Sequence, residues 1–396
     1  MKTFRKIIFW CHLFTGTIAG LVVLIMSVTG VMLTYEKQMM YWADTRSYQI
    51  AQPSESAPRL SIEALLAKTA ESRPQLPSSI TVRADPSSPA SIGFQGGTTL
   101  FINPYTGEVL GEGAPKVRAF FRAVTDWHRW LGRQAESRNV ARAVTGACNL
   151  GFLFLVTSGF YLWWPSKWTK PLVKNVTWFK RGLRGRARNF NWHNVIGFWC
   201  AIPLFIVVLS AVVISYTWAG NLVYRLAGES PPAPRSAPAP SNETAGQPRG
   251  GKNRIDPATA AAGLDALWLR AEQQVVGWKS IGLQVPSSAD SPVTFTIDQG
   301  SGGQPQKRAQ LVLDRKTGDV VRWEPFSSLS RGRQARSILR FAHTGEVAGF
   351  IGQTIAGIVS IGATFLVWTG LSLSWRRLRG WRRRRKGVWN GGEAPG

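Results

Sequence analysis

The 396-residue chain is short of acid, of cysteine and of histidine. It carries 22 Asp and Glu against 48 Lys and Arg, with three cysteines and four histidines. Cys11, Cys148 and Cys200 lie within or beside apolar runs, so no disulfide framework is expected in the segments between those runs. No Gly-x-Gly-x-x-Gly motif follows a strand and no flavin-type fingerprint occurs, so no NAD or flavin site is recognised.

Charge is missing altogether from four stretches: 7–35, 143–166, 189–224 and 347–375. Each exceeds the roughly 20 residues that cross a hydrocarbon core of about 30 Å. Four transmembrane helices are expected, at 7–35, 140–165, 191–220 and 345–375. A signal peptide is the competing reading of the first, but its apolar region is normally about 7–15 residues with a small-residue cleavage site. This run is longer and continues into Tyr35-Glu36 without such a site. An uncleaved anchor is expected.

What is abundant is positive charge in three places. Lys2, Arg5 and Lys6 precede the first span, eight cations lie between Lys167 and Arg188, and eight more between Arg376 and Lys386, with no acid among them. The positive-inside rule puts these three segments in the cytoplasm, with both termini and the loop 166–190 inside and the basic tail 376–396 beyond the last span. The large loops 36–130 and 221–340 then lie outside, in the periplasm for a protein of a bacterial inner membrane. Juxtamembrane clusters account for a pI near 11, so a nucleic-acid partner is not expected and the lipid bilayer is.

The halves repeat. FWCHLFTG (9–16) matches FNWHNVIG (190–197), an aromatic and a His with Gly four residues on. TTLFINPYTGEVLGE (98–112) matches AQLVLDRKTGDVVRWE (309–324), each a strand, a Thr-Gly turn and a second strand. VTSGFYLWW (156–164) matches VWTGLSLSW (367–375). The fold class expected is an integral membrane α-helical protein, a duplicated two-span unit with two external α+β units. The first unit has a helix at 61–73 and strands near 80–84, 91–95, 99–103 and 107–110. The second follows a Pro/Ala/Ser-rich linker, 228–250, with a helix at 257–275 and strands near 279–285, 292–298, 308–314 and 319–323.

This layout, the Thr-Gly hairpins, the Ser158–Pro165 ending and the His-bearing first span resemble the PepSY-associated transmembrane family over nearly the whole chain. Some members of that family are bacterial inner-membrane reductases that release iron from siderophores, described as di-haem b proteins. The resemblance implies two PepSY-like external units, a ferric siderophore as acceptor in the periplasm and a quinol or cytoplasmic reductase as electron donor.

The histidines argue for haem independently. An ionisable side chain in a span is a functional candidate. With the topology above, His12 and His193 fall at the cytoplasmic ends of the first and third spans. His128 and His343 fall at or before the outer ends of the second and fourth. Two bis-histidine haems b are expected, His12 with His193 (inner) and His128 with His343 (outer). A non-haem metal would want carboxylates or cysteines beside its histidines, and the spans offer only Cys11. No Cys-x-x-Cys-His exists for covalent c-type attachment.

Gly16, Gly20, Gly197 and Gly349 are candidates for opening a porphyrin slot, and Arg5, Arg129 and Arg340 for propionate contacts. His128 is awkward, because it precedes the uncharged core of its span by some 14 residues. Either that helix starts well outside, or the segment folds back along the surface. Two other functions fit the composition: a haem subunit serving an external partner enzyme, or a PepSY-type binding or sensor protein without cofactor.

Overall fold

The computed structural model describes residues 2–48, 50–52, 54, 57–164, 169–233, 256–286, 288 and 290–389. Most of the linker expected at 228–250 lies outside the described residues. The chain divides into two compact units: a helical one of Met1–Glu36, Phe120–Val223 and Ile338–Gly396, and a sheet unit of Lys37–Ala119 and Tyr224–Ser337.

In chain order the elements are α1 (Lys2–Leu33), α2 (Glu36–Thr45), α3 (Ile62–Ser72), β1 (Pro77–Arg83), β2 (Ala90–Phe94), β3 (Thr99–Ile102), β4 (Val109–Gly111), α4 (Pro115–Trp130), α5 (Ser137–Trp163) and α6 (Lys170–Thr177). Then come α7 (Gly185–Ser215), α8 (Thr217–Leu226), α9 (Pro257–Ala261), α10 (Leu264–Gln274), β5 (Ser280–Gln284), β6 (Val293–Asp298), β7 (Arg308–Leu313), β8 (Val320–Pro325), α11 (Arg331–His343) and α12 (Gly349–Trp389).

Four helices, Thr3–Leu33, Ser137–Trp163, Gly185–Ser215 and Glu346–Arg382, are long and apolar enough to cross a membrane. They pack as a ring in which α1 and α7 each touch α5 and α12, so α1 and α7 face each other diagonally. Small residues allow close approach: a Cβ at Gly362 would lie 2.5 Å from Cys200 Sγ, so α12 meets α7 there only because position 362 lacks a side chain. Phe14, Ile18, Leu21, Ile202 and Ile358 point outward, 60% or more exposed, which suits lipid and not water. The basic segment after the last span is, through Trp389, a continuation of α12.

The strands of the sheet unit alternate. Ile80, Ile92, Ile281, Leu283, Phe295 and Leu311 are fully buried on one face beneath Leu65, Leu264 and Ala271 of α3 and α10. The two α+β units expected from the repeat are joined here. β1 pairs antiparallel with β5, in register Ile80↔Leu283, and completes one eight-stranded sheet, β4-β3-β2-β1-β5-β6-β7-β8. One core serves both halves.

The repeat is visible atom by atom. Asn103 Oδ1 accepts from the amides of Tyr105 and Thr106, and Asp314 Oδ1 accepts from those of Lys316 and Thr317. Gly107 and Gly318 close these turns at φ +75° and +72°, where a side chain would be strained. The helices cap each other: Glu63 N donates to Asp265 Oδ1 at 3.0 Å and Asp265 N to Glu63 Oε1 at 3.2 Å. Each carboxylate thus meets one orphan amide and the positive end of the partner helix. The helix expected over 257–275 is two, α9 and α10, because Gly263 takes φ +77° and ends the first.

Candidate functional site

All four histidines belong to the helical unit, and each is half-buried. His12, on α1, has Nδ1 2.8 Å from Ser158 Oγ of α5. His193, on α7, has Nδ1 3.0 Å from Thr369 Oγ1 of α12. His12 and His193 stand on diagonally opposite helices.

His128 and His343 are not in the spans themselves. Each ends or nearly ends the helix before a span, and a break follows: Leu131 and Gly132 at φ +51° and +72° after α4, and Gly345 and Gly349 at φ +75° and +65° after α11. Of the two courses left open by the sequence, α4 ends at the break and α5 starts afresh. His128 then reaches Thr29 of α1, with Nδ1 2.9 Å from Oγ1, and His343 Nδ1 donates to the Val207 carbonyl of α7 at 2.9 Å. The His128 and His343 rings lie 6.2 Å apart, centroid to centroid.

The hydroxyl partners fix the protons. Ser158 Oγ donates to Phe154 O (2.6 Å), Thr369 Oγ1 to Phe365 O (2.7 Å) and Thr29 Oγ1 to Ile25 O (2.6 Å). A hydroxyl has one proton, and here it is committed to the carbonyl one turn back, so each hydroxyl accepts from the ring. The Val207 carbonyl can only accept. With that assignment each Nδ1 carries the hydrogen and each Nε2 the lone pair. That is the tautomer of a metal-ligating histidine oriented through its other nitrogen.

A glycine accompanies three of these hydroxyls. A Cβ at Gly159 or Gly370 would lie 3.4 Å from Cε1 of His12 or His193, and one at Gly30 would lie 3.5 Å from Cε1 of His128. The pairs Ser158-Gly159, Thr369-Gly370 and Thr29-Gly30 thus admit a ring and then bond it. Sequence reasoning missed this role, although the signal was there in the matched TSG and WTG.

The glycines expected to open a slot do something else. Gly16, Gly20 and Gly197 face Leu155, Leu371 and Leu366 of neighbouring helices, and Gly349 supplies a left-handed start to α12. Arg5 Nη2 donates to Leu162 O at 2.6 Å, capping α5, while Arg129 and Arg340 lie over Trp130 and Phe341.

The donor set fits haem. Among the described residues no cluster of three or more His, Cys, Asp or Glu is placed to hold a metal ion, and the donors on offer are imidazoles. His128 and His343, with centroids 6.2 Å apart, would supply the two imidazoles of an outer haem. Along α1, the 17 residues from His12 to Thr29 rise about 26 Å. Along α7, the 14 from His193 to Val207 rise about 21 Å. The two pairs therefore stand near opposite ends of the bundle. Asn189, one turn before His193, hydrogen-bonds Ser372 Oγ at 2.9 Å and leaves its Oδ1 buried without a partner.

Compared with protein families, residues 9–377 match the model of the PepSY-associated TM region. The chain belongs to this family. The match runs from within the first span to within the last. No curated protein matches the chain.

Proposed function

We propose that this PepSY-associated membrane protein carries electrons across the bacterial inner membrane through two b-type haems and delivers them to a ferric siderophore in the periplasm. His12 and His193 would hold the inner haem, His128 and His343 the outer. The observation that carries this reading is the shared geometry: four histidines in a chain that has only four, each tied through Nδ1, which suits a free Nε2 lone pair. Bound haem supplies a reversible one-electron carrier at each level.

The chain's own part is to orient the imidazoles and keep two carriers at fixed separation in an apolar bundle. The basic termini and the loop before α7 lie in the cytoplasm in this reading, and the sheet unit, with its two α+β halves, outside. A quinol or a cytoplasmic reductase donates the electrons, since no NAD or flavin fingerprint exists in the chain. The acceptor is a hard-oxygen chelate whose hold on iron weakens when Fe(III) becomes Fe(II).

The chelate reaction is tested anaerobically. Reduced protein mixed with a ferric hydroxamate chelate is expected to reoxidise while one Fe(II) per haem oxidised is trapped by a ferrous chelator. A protein that stays reduced with every ferric chelate tried, yet reoxidises with a protein acceptor, assigns it to an electron-transfer subunit instead.

Thr369→Val tests the positioning of His193. It keeps the shape and removes the hydroxyl that meets His193 Nδ1. Loss of such a partner typically weakens a metal site about 10–100-fold, so haem affinity at the inner site is expected to fall by that order and its potential to shift. Thr369→Ser is expected to restore both, and haem titration with potentiometry measures them.

A further inference from the structure

Between the second and third spans the chain forms α6, eight residues long, too short to hold a helix unaided. The last carbonyls of a helix have no intrahelical donors. Here four consecutive carbonyls are each met by a side chain of a flanking span. Asn191 Nδ2 donates to Asn175 O and Trp178 O (3.2 Å each), Trp163 Nε1 to Val176 O (3.4 Å) and Trp199 Nε1 to Thr177 O (3.0 Å). Asn191 Oδ1 in turn accepts from Lys180 N at 3.0 Å, and Trp163 stacks on Phe198 with centroids 4.4 Å apart. The segment is clamped at the ends of α5 and α7.

What the clamp presents is unneutralised. Lys170, Lys174, Lys180, Arg181, Arg184 and Arg186 are exposed and make no side-chain hydrogen bond or ion pair among the described residues. The sequence has no acid between Glu136 and Glu229 that could serve them. Interleaved with the cations are Leu172, Trp178 and Phe179, also exposed, and beyond them Phe190 and Trp199 on the outward surface of α7.

We propose that α6 and the turn after it form a platform for anionic phospholipid headgroups. The cations supply the charge complement of phosphate, and the aromatic and aliphatic side chains suit the acyl boundary that begins beside it. A soluble acidic protein would also meet the cations. The exposed apolar set, running on into a surface that faces lipid, favours the bilayer as occupant. The clamp gives the platform a consequence: Asn191 is two residues from His193, so headgroups that steady α6 steady the start of α7. The proposal rests on the four spans and is independent of the haem reading.

The test reconstitutes full-length protein and the K170Q/K174Q/K180Q variant in nanodiscs of phosphatidylcholine alone, or with roughly a quarter phosphatidylglycerol. Lipid retained after extraction is identified by mass spectrometry, and the thermal midpoint is recorded. Wild type is expected to retain phosphatidylglycerol in preference and to melt higher in its presence. Neutralisation is expected to lower that retention by about fivefold for each cation at low salt, less as salt rises. Equal midpoints in phosphatidylcholine show that the variant folds. Should it not fold, salt titration of wild type decides, because salt-insensitive retention contradicts the proposal. Equal retention by wild type and variant overturns it, as does capture of an acidic protein through these lysines with no lipid preference.

Discussion

His193→Ala is expected to remove the inner haem and leave the outer one, and His343→Ala to do the reverse. In the proposed arrangement a lost histidine would have no substitute, because no cluster of three or more His, Cys, Asp or Glu lies among the described residues. A potentiometric titration of wild type should resolve two waves, and each variant should keep one. The glycine beside the ring adds a sharper readout. Gly370 stands 3.4 Å from His193 Cε1 at its would-be Cβ, so removing the ring leaves a slot the size of imidazole against Thr369 Oγ1. Free imidazole is expected to restore the lost wave in His193→Ala. Two waves persisting in either alanine variant would show that the ligands have been assigned wrongly.

Asp44→Ala is the substitution expected to cost the sheet unit most. Asp44, at the end of α2, is 8% exposed and accepts from Ala114 N at 2.8 Å and from Arg118 Nη1. It lies at the N-terminus of α4, where a carboxylate is favoured by the helix dipole, and Gly113 (φ +71°) makes room for it. Its side chain and that of Arg118 are 11% and 17% exposed, so alanine strands a largely desolvated guanidinium. Breaking such a pair costs about 3 kcal/mol. The ion pair Arg73–Glu112 has the same chemistry at 34% and 44% exposure, and Glu112→Gln is expected to cost less than about 0.5 kcal/mol. Denaturant unfolding of the detergent-solubilised protein, followed by tryptophan fluorescence, measures both. Equal losses would mean that burial does not decide the difference.

How far sequence reaches depends on whether a feature is local. The spans were legible because an uncharged run is a property of consecutive residues. The hairpins were legible because Asn103 and Asp314 bond their own downstream amides and Gly107 and Gly318 take the left-handed turn. The β1–β5 pair was not, because Ile80 and Leu283 lie 203 residues apart and alternation alone fits a four-stranded unit as well as an eight-stranded one. The break at Gly263 was hidden by the alanines around it, which favour helix on both sides. Of the site, the placing of His12 on α1 and His193 on α7 was readable from the spans. Their partners were not, since Ser158, Thr369 and Thr29 become partners only when helices distant in sequence pack. The same holds for Gly16, Gly20 and Gly197, where a porphyrin slot and a leucine contact leave the same small-residue signature.

The measurement that tests the account most directly is a pyridine haemochrome count of haem b per chain on protein purified from haem-sufficient cells. The arrangement of four Nδ1-bonded histidines in two pairs predicts two. A colourless protein, or one haem unaffected by substitution of any histidine, would contradict it and leave the sheet unit as the place to look for function.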